Sequence, residues 1–282
     1  MRVLILGGGG TLGAFSAGAL QALEQSAWTP EILIGSSAGS INLLRYLTGG
    51  GAAAVDFWKG LRWTKLVKNG LLHSMRLRGI LDPKSFNAHV DDGVDFERMF
   101  HDPRNLAFIV VDLNTGKVKI RGNRTEKSAE DLRVVAHGSY ALPPLLPPIH
   151  LGDALLADGG LLINAPLDSA IKLGATEIVY LCNVQVLPRE SKLQKSTLKA
   201  TLRYADIFVR RASNVGFADA ELKEGNYRGV PFVAIAPPSY LRLDSILSWM
   251  VPKEGAMDHL VQYGRASAER ALVQTRWLSM RA

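Results

Sequence analysis

The segment Ile32-Leu33-Ile34-Gly35-Ser36-Ser37-Ala38-Gly39 indicates both the fold class and a candidate reactive side chain. Three apolar residues typical of a strand lead into a G-x-S-x-G sequence, and residues 40–47 after it are typical of a helix. Small residues around a serine permit the sharp strand-to-helix turn called a nucleophile elbow, which exposes the hydroxyl at a helix N-terminus. Ser37 is therefore the first candidate for a covalent nucleophile.

A second glycine cluster, residues 7–13 (GGGGTLG), follows the strand-like residues 2–6 and precedes a helix of small residues. Two interpretations stay open for it. Its G-x-G-x-x-G pattern could hold the pyrophosphate of NAD(P) or FAD, but the second strand would then have to end in an acidic residue, and here it ends in residues 35–37, GSS. Alternatively, its backbone N–H groups form an oxyanion hole, which contributes about 3 to 4 kcal/mol of transition-state stabilisation. The serine elbow favours the oxyanion hole.

A third candidate is Asp158, which follows the apolar pair Leu155-Leu156 and precedes Gly159 and Gly160. A carboxylate between an apolar strand and two glycines can be partly desolvated, which raises its proton affinity, while a partner can still reach it. Asp-Gly is also a common turn dipeptide, so this signal by itself is weak.

Together the motifs at residues 8–13, 35–39 and 158–160 resemble the patatin-like phospholipase family in identity, order and rough spacing. Residues 136–148 (AHGSYALPPLLPP) look like the Pro-rich approach to the family's catalytic aspartate, and residues 164–167 and 173–179 look like the helix and strand that follow. The resemblance covers residues 1 to about 185 well and the remainder, residues 186–282, only loosely.

The resemblance implies a serine hydrolase that cleaves acyl esters of lipids, of phospholipase A or lysophospholipase type, without a cofactor. Ser37 would be the nucleophile, Asp158 the general base, and no histidine would be required. The oxyanion-hole donors would be Gly8, Gly9 and Gly10, and the other motif glycines are Gly13, Gly35, Gly39, Gly159 and Gly160.

One residue departs from the family pattern: Leu12 stands where the family usually has a basic residue, which would fix the loop or contact a charged headgroup. This departure keeps a catalytically silent lipid-binding or regulatory protein as one alternative. A nucleotide-binding oxidoreductase is the other.

A Ser-His-Asp triad would place a histidine after the acid, and only His259 follows Asp158. It lies in a predicted C-terminal helix, where a surface or core role is the better interpretation. The histidines show no metal-site spacing with cysteine or carboxylate, so we expect no metal.

Length and composition predict one domain over residues 1–282, since 47% of the residues are hydrophobic and 21% are charged, and the resemblance implies that this domain is patatin-like. Strands are predicted at 2–6, 31–35, 106–112, 117–121, 154–157, 177–183 and 230–235. Helices are predicted after the first two strands and at about 84–100, 128–138, 166–173, 192–222 and 256–274. This alternation predicts a three-layer α/β/α sandwich with a mainly parallel central sheet.

Cys182 lies in a predicted buried strand, and because it is the sole cysteine it cannot form an intramolecular disulfide. Only five residues precede the first glycine cluster after Met1, so the N-terminus is expected to be a strand and not a signal peptide. No stretch approaches the ~20 apolar residues of a transmembrane helix. These features predict a cytoplasmic protein.

The net charge of +7 is unevenly spread. Between Phe57 and Ile80 there are six basic residues and no acidic residue, interleaved with aromatic and aliphatic side chains. This pattern is typical of an interfacial segment and predicts peripheral contact with an anionic membrane. No nucleic-acid-reading motif accompanies the charge, so we expect no nucleic-acid partner.

Overall fold

The computed structural model describes residues 1–61, 80–163, 165–183, 222–223, 225–238 and 255–279, together with residues 200 and 207. The strands are β1 Arg2–Leu6, β2 Ile32–Gly35, β3 Asn105–Asp112, β4 Lys117–Gly122, β5 Ile149–Leu151, β6 Ala154–Asp158, β7 Glu177–Leu181, β8 Leu222–Lys223, β9 Asn226–Tyr227 and β10 Val230–Ile235. A short 3-10 helix at Gly10–Leu12 precedes the α-helices, which are α1 Gly13–Leu23, α2 Ala38–Gly60, α3 Pro83–Asp91, α4 Phe96–Phe100, α5 Ala129–Gly138, α6 Leu167–Lys172, α7 Ala256–Gln274 and α8 Arg276–Ser279.

The described strands belong to one mixed sheet with a parallel centre. The strands β3, β2, β1, β7 and β10 lie side by side in that order and run parallel. Antiparallel strands flank this centre, with β4, β5 and β6 on one side and β8 and β9 on the other. The predicted mainly parallel central sheet is confirmed.

Alternate residues of the central strands point into two separate cores. Leu4 and Leu6 of β1 lie in a cluster with residues of α1, α2, α5 and α7, whereas Val3 and Ile5 lie in a second cluster with residues of α6. Because both faces are covered, these strands are apolar almost throughout. The three-layer α/β/α prediction is confirmed.

Two strands meet end to end along one edge of β3. Strand β2 runs parallel to β3 and ends with Gly35 opposite Phe108, whereas β6 runs antiparallel and ends with Asp158 opposite Val110. Strand β4 pairs with the other edge of β3, from Ala107 to Asp112. The two strand ends therefore face each other across a single β3 residue, Ile109, which corresponds to about 7 Å along the strand from Phe108 to Val110.

Several predicted boundaries are wrong. The single helix predicted over 84–100 is two helices, α3 and α4, because Gly93 has φ +72° and Asp95 caps a new helix by accepting from the Arg98 amide at 2.9 Å. Strands β5, β8 and β9 were not predicted. Of the helix predicted over 192–222, residues 200 and 207 are helical, Leu222 begins β8, and the rest lies outside the described residues.

The membrane contact predicted for the segment Phe57–Ile80 stays a prediction, although its first apolar side chains are buried. Phe57 and Leu61 are buried, and Trp58 is 2% exposed with its indole N–H donating to Asn42 Oδ1 at 2.6 Å. Phe57 and Trp58 belong to α2 and Leu61 follows it, and all three side chains pack in the core, so they do not face a lipid surface. Residues 62–79 lie outside the described residues. Over the part of the chain that is described, no helix is long and apolar enough to span a bilayer.

Candidate active site

The serine elbow occupies the turn between β2 and α2. Ser37 has φ +53° and ψ −124°, a conformation that a non-glycine residue rarely adopts and that costs on the order of 1–3 kcal/mol. It is the N-cap residue of α2, and its side chain does not cap that helix. The half-buried hydroxyl is therefore available to another partner.

That partner is Asp158, the last residue of β6. The Ser37 hydroxyl donates a hydrogen bond to the Asp158 carboxylate, and the Gly160 amide donates to Asp158 Oδ1 at 2.8 Å. Asp158 is 5% exposed. Burial raises the pKa of its carboxyl to about 6, although the bonds from Ser37 and Gly160 act in the opposite direction. The sequence expectation of a desolvated carboxyl with raised proton affinity agrees with this environment.

The glycine cluster lies directly beside the elbow. A Cβ atom on Gly39 would lie 1.9 Å from the carbonyl oxygen of Leu6, so only glycine lets the elbow approach the end of β1 this closely. The Ser36 amide also donates to the Leu6 carbonyl at 3.0 Å. The elbow therefore lies against the end of β1 and against Gly7, the first glycine of the cluster, whose carbonyl oxygen would lie 2.8 Å from the same Cβ atom.

The third motif touches the second in the same way. A Cβ atom on Gly160 would lie 2.2 Å from Ser36 Oγ, whereas one on Gly159 would lie 2.8 Å from the Val110 backbone. The structure thus places the elbow between Gly7, at the start of the first glycine cluster, and Gly160 of the third motif.

The three glycines predicted as donors differ in accessibility: Gly8 is buried, Gly9 is half-buried and Gly10 is exposed. Gly9 has φ +151° and Gly10 has φ +58°, so the loop turns through conformations that favour glycine before the 3-10 helix begins. Of the remaining motif glycines, Gly13 begins α1 and Gly35 ends β2.

Two buried carboxamides that sequence reasoning missed hold this loop at its ends. The Asn183 side chain donates to the carbonyl of Gly7 at 2.7 Å, and the Asn42 side chain donates to the carbonyl of Gly13 at 2.9 Å. Asn183 follows β7, and polar residues beyond the carboxyl ends of parallel strands commonly face the site in such sheets. That position was the signal that could have revealed Asn183.

Leu12 is 2% exposed and belongs to the core cluster shared with α1 and α2. A side chain buried there cannot contact a lipid headgroup. At this position the loop is therefore held by apolar packing, where the family usually has a basic residue.

Two further residues considered from the sequence, His259 and Cys182, have no contact with Ser37 or Asp158 among those the structure gives. His259 is exposed on α7, and Cys182 is buried directly after β7. Within the described ranges, no group of three or more His, Cys, Asp or Glu residues could hold a metal ion.

An α/β sheet with a strained serine at the end of one strand and a buried aspartate at the end of another is typical of a class of hydrolase folds, and comparisons specify the family. The patatin-like phospholipase family model matches residues 4–171, more than half of the chain. The chain therefore belongs to the patatin-like phospholipase family.

Two individual proteins extend this result. A patatin-like phospholipase domain-containing protein of Caenorhabditis elegans is 29% identical over 197 residues, which are 64% of this chain and 13% of that protein's length. The crystal structure of VipD from Legionella pneumophila matches 97% of this chain and 67% of that chain with a TM-score of 0.54 and 15% identity. At this identity VipD supports the fold alone.

Proposed function

We propose that this chain is a serine hydrolase that cleaves acyl esters of lipids, of phospholipase A or lysophospholipase type, with Ser37 as nucleophile and Asp158 as general base. One observation carries the proposal: the strained Ser37 donates its hydroxyl hydrogen bond to a buried carboxyl whose pKa is about 6. A base with a pKa near the working pH is largely ionised and still accepts a proton readily. Membership of the patatin-like phospholipase family supports lipids as the substrate class.

The proposed reaction has two steps. Ser37 Oγ attacks the ester carbonyl carbon while Asp158 takes the hydroxyl proton, and the resulting oxyanion accepts hydrogen bonds from the amides of Gly8, Gly9 and Gly10. When the intermediate collapses, Asp158 returns the proton to the departing alkoxide and leaves an acyl-Ser37 ester. Water then attacks that ester, gives a proton to Asp158 and releases the fatty acid, after which the proton returns to Ser37.

The dinucleotide alternative lacks the acidic residue that it requires. Strand β2 ends at Gly35 and continues directly into the elbow, where a dinucleotide-binding fold places the carboxylate that holds the ribose. The absence of any spectral change on titration with NAD(P)H or a flavin would remove this alternative experimentally.

A fluorophosphonate probe tests the nucleophile. We expect the wild-type chain to be labelled at residue 37 and Ser37→Ala to remain unlabelled. Ser36→Ala is the matched control, because it removes the neighbouring buried hydroxyl and should leave labelling unchanged. Equal labelling of wild type and Ser37→Ala would remove the nucleophile assignment.

Substrate class is tested separately with vesicles of phosphatidylcholine and with lysophosphatidylcholine, by measuring released fatty acid. We expect release by wild type and none by Ser37→Ala. Vesicle binding without release, combined with no turnover of short-chain p-nitrophenyl esters, would instead favour a catalytically silent lipid-binding protein.

A further inference from the structure

The turn that follows α5 holds the backbone of both Ser37 and Asp158. The Ser37 amide donates to the carbonyl of Ser139 at 3.0 Å, and the Asp158 amide donates to the carbonyl of Ala141 at 2.9 Å. These two acceptors are separated by one residue, so a single short segment fixes where the nucleophile and its partner stand relative to each other.

The side chain of Ser139 joins this turn to the sheet. Its hydroxyl donates to the carbonyl of Ile109 at 2.7 Å, and Ser139 is fully buried. Ile109 lies between the β3 residue opposite Gly35 and the β3 residue opposite Asp158. Ser139 therefore occupies the gap where β2 and β6 meet end to end.

A second hydroxyl completes the connection. Ser40 Oγ and Ser139 Oγ lie 2.7 Å apart, and because the Ser139 hydrogen is donated to Ile109, Ser40 must be the donor in this pair. The Ser40 amide in turn donates to the carbonyl of Ser37 at 2.9 Å. A continuous chain of buried hydrogen bonds thus runs from the elbow through Ser40 and Ser139 to β3.

We propose that Ser139, supported by Ser40, is a positioning residue that sets the approach of the Ser37 hydroxyl to the Asp158 carboxylate. The inference rests on the proposed function, because it assumes that this approach is the one used in catalysis. Neither hydroxyl needs to contact the substrate. Loss of either one therefore affects the chemical step rather than substrate binding, because a misplacement of about 1 Å costs on the order of 100-fold in rate.

The test compares Ser139→Ala, Ser40→Ala and the double variant on a short-chain p-nitrophenyl ester. We expect each single variant to lower kcat at least about tenfold with KM nearly unchanged, and to slow fluorophosphonate labelling in proportion. Because the two hydroxyls act in one chain, the double variant should be little worse than the poorer single variant. Ser267→Ala, which removes a buried hydroxyl on α7, is the control and should keep wild-type kcat and KM.

The outcomes separate this inference from the proposed function. Wild-type kcat in Ser139→Ala and Ser40→Ala, with wild type itself active, would overturn the positioning role and leave the proposed function intact. A rise in KM at unchanged kcat would also overturn it. If wild type is neither labelled nor active, the proposed function fails instead. If Ser139→Ala does not fold, Ser40→Ala decides, because it removes only the donor to Ser139.

Discussion

Asp112 and Asp158 are buried aspartates that each end one of two neighbouring strands, and the pKa values of their carboxyls are shifted in opposite directions. Asp112 ends β3 and is 3% exposed, whereas Asp158 ends β6 and is 5% exposed. Burial raises the pKa of both carboxyls, but for Asp112 its hydrogen bonds outweigh burial and lower the pKa below the ordinary value of 3.8. For Asp158 burial dominates, and the pKa is about 6.

The difference comes from the number and charge of the donors. Asp112 accepts from the Thr115 hydroxyl at 3.0 Å, from the amides of Asn114 and Leu155, and from the Lys119 ammonium at 3.4 Å. Asp158 accepts from the Ser37 hydroxyl and the Gly160 amide. Asp112 is thus a stably ionised turn residue, whereas Asp158 keeps the proton affinity that a general base requires.

Exchanging each carboxyl for an amide should give the largest contrast between the two sites. We expect Asp158→Asn to lower kcat/KM on a p-nitrophenyl ester by at least about 10³-fold, because the amide cannot take the Ser37 proton. Asp112→Asn should keep turnover near wild type and lower Tm, because it loses the ion pair with Lys119. Kinetics and thermal unfolding of both variants measure the contrast, and similar activity losses in the two would contradict it.

The sequence was sufficient for the local parts of this site. Gly35, Ser37 and Gly39 form the elbow within one turn, so residue type and order predicted it. The apolar strands and the α/β alternation predicted the three layers for the same reason, because each strand carries its own pattern.

The sequence was not sufficient for the parts that depend on distant pairing. Ser37 and Asp158 meet because β2 and β6 share one edge of β3 in opposite directions, and nothing within residues 154–158 indicates that β6 is antiparallel. The burial of Trp58, which the sequence placed in an interfacial segment, was not predicted for a related reason. An amphipathic segment has the same pattern whether its apolar side packs on a core or on a membrane.

The pH dependence of stability should also have opposite signs at the two aspartates. Between pH 3.8 and about 6 the folded chain keeps the Asp158 proton that the unfolded chain has released, so this group lowers the free energy of unfolding by about 3 kcal/mol as pH rises through that range. Asp112 contributes stability that is present above its unfolded pKa and is lost as pH falls below it.

Urea denaturation of wild type, Asp158→Asn and Asp112→Asn from pH 3 to pH 8 measures both effects. Relative to wild type, Asp158→Asn should gain stability with rising pH, and Asp112→Asn should lose it. In wild type, kcat/KM should rise with pH and level off above about pH 6, since Asp158 must be ionised to act as a base. An activity that is flat from pH 4.5 to pH 8 would contradict the assignment of this base.

A smaller change can be made at Gly160, whose amide donates to Asp158. In Gly160→Ala the new Cβ would lie 2.2 Å from Ser36 Oγ, so the amide that donates to Asp158 must shift, at a cost of about 1–3 kcal/mol of stability. We expect lower Tm and lower kcat. Ser36→Ala added to this variant removes the clashing atom and should restore most of both, whereas no recovery would contradict the steric explanation.

The smallest effect is expected for Ser36→Ala alone. The Ser36 hydroxyl is buried and has no hydrogen-bond partner among the described residues, whereas the neighbouring Ser37 hydroxyl is bonded to Asp158. A buried polar group without a partner destabilises the folded state, so its removal should raise the free energy of unfolding by up to about 1 kcal/mol. Urea denaturation measures this gain, and unchanged kcat would show that the elbow is undisturbed. A clear loss of stability would instead mean that the Ser36 hydroxyl has a partner in solution, such as a buried water, and that the two adjacent serines differ less than their contacts indicate.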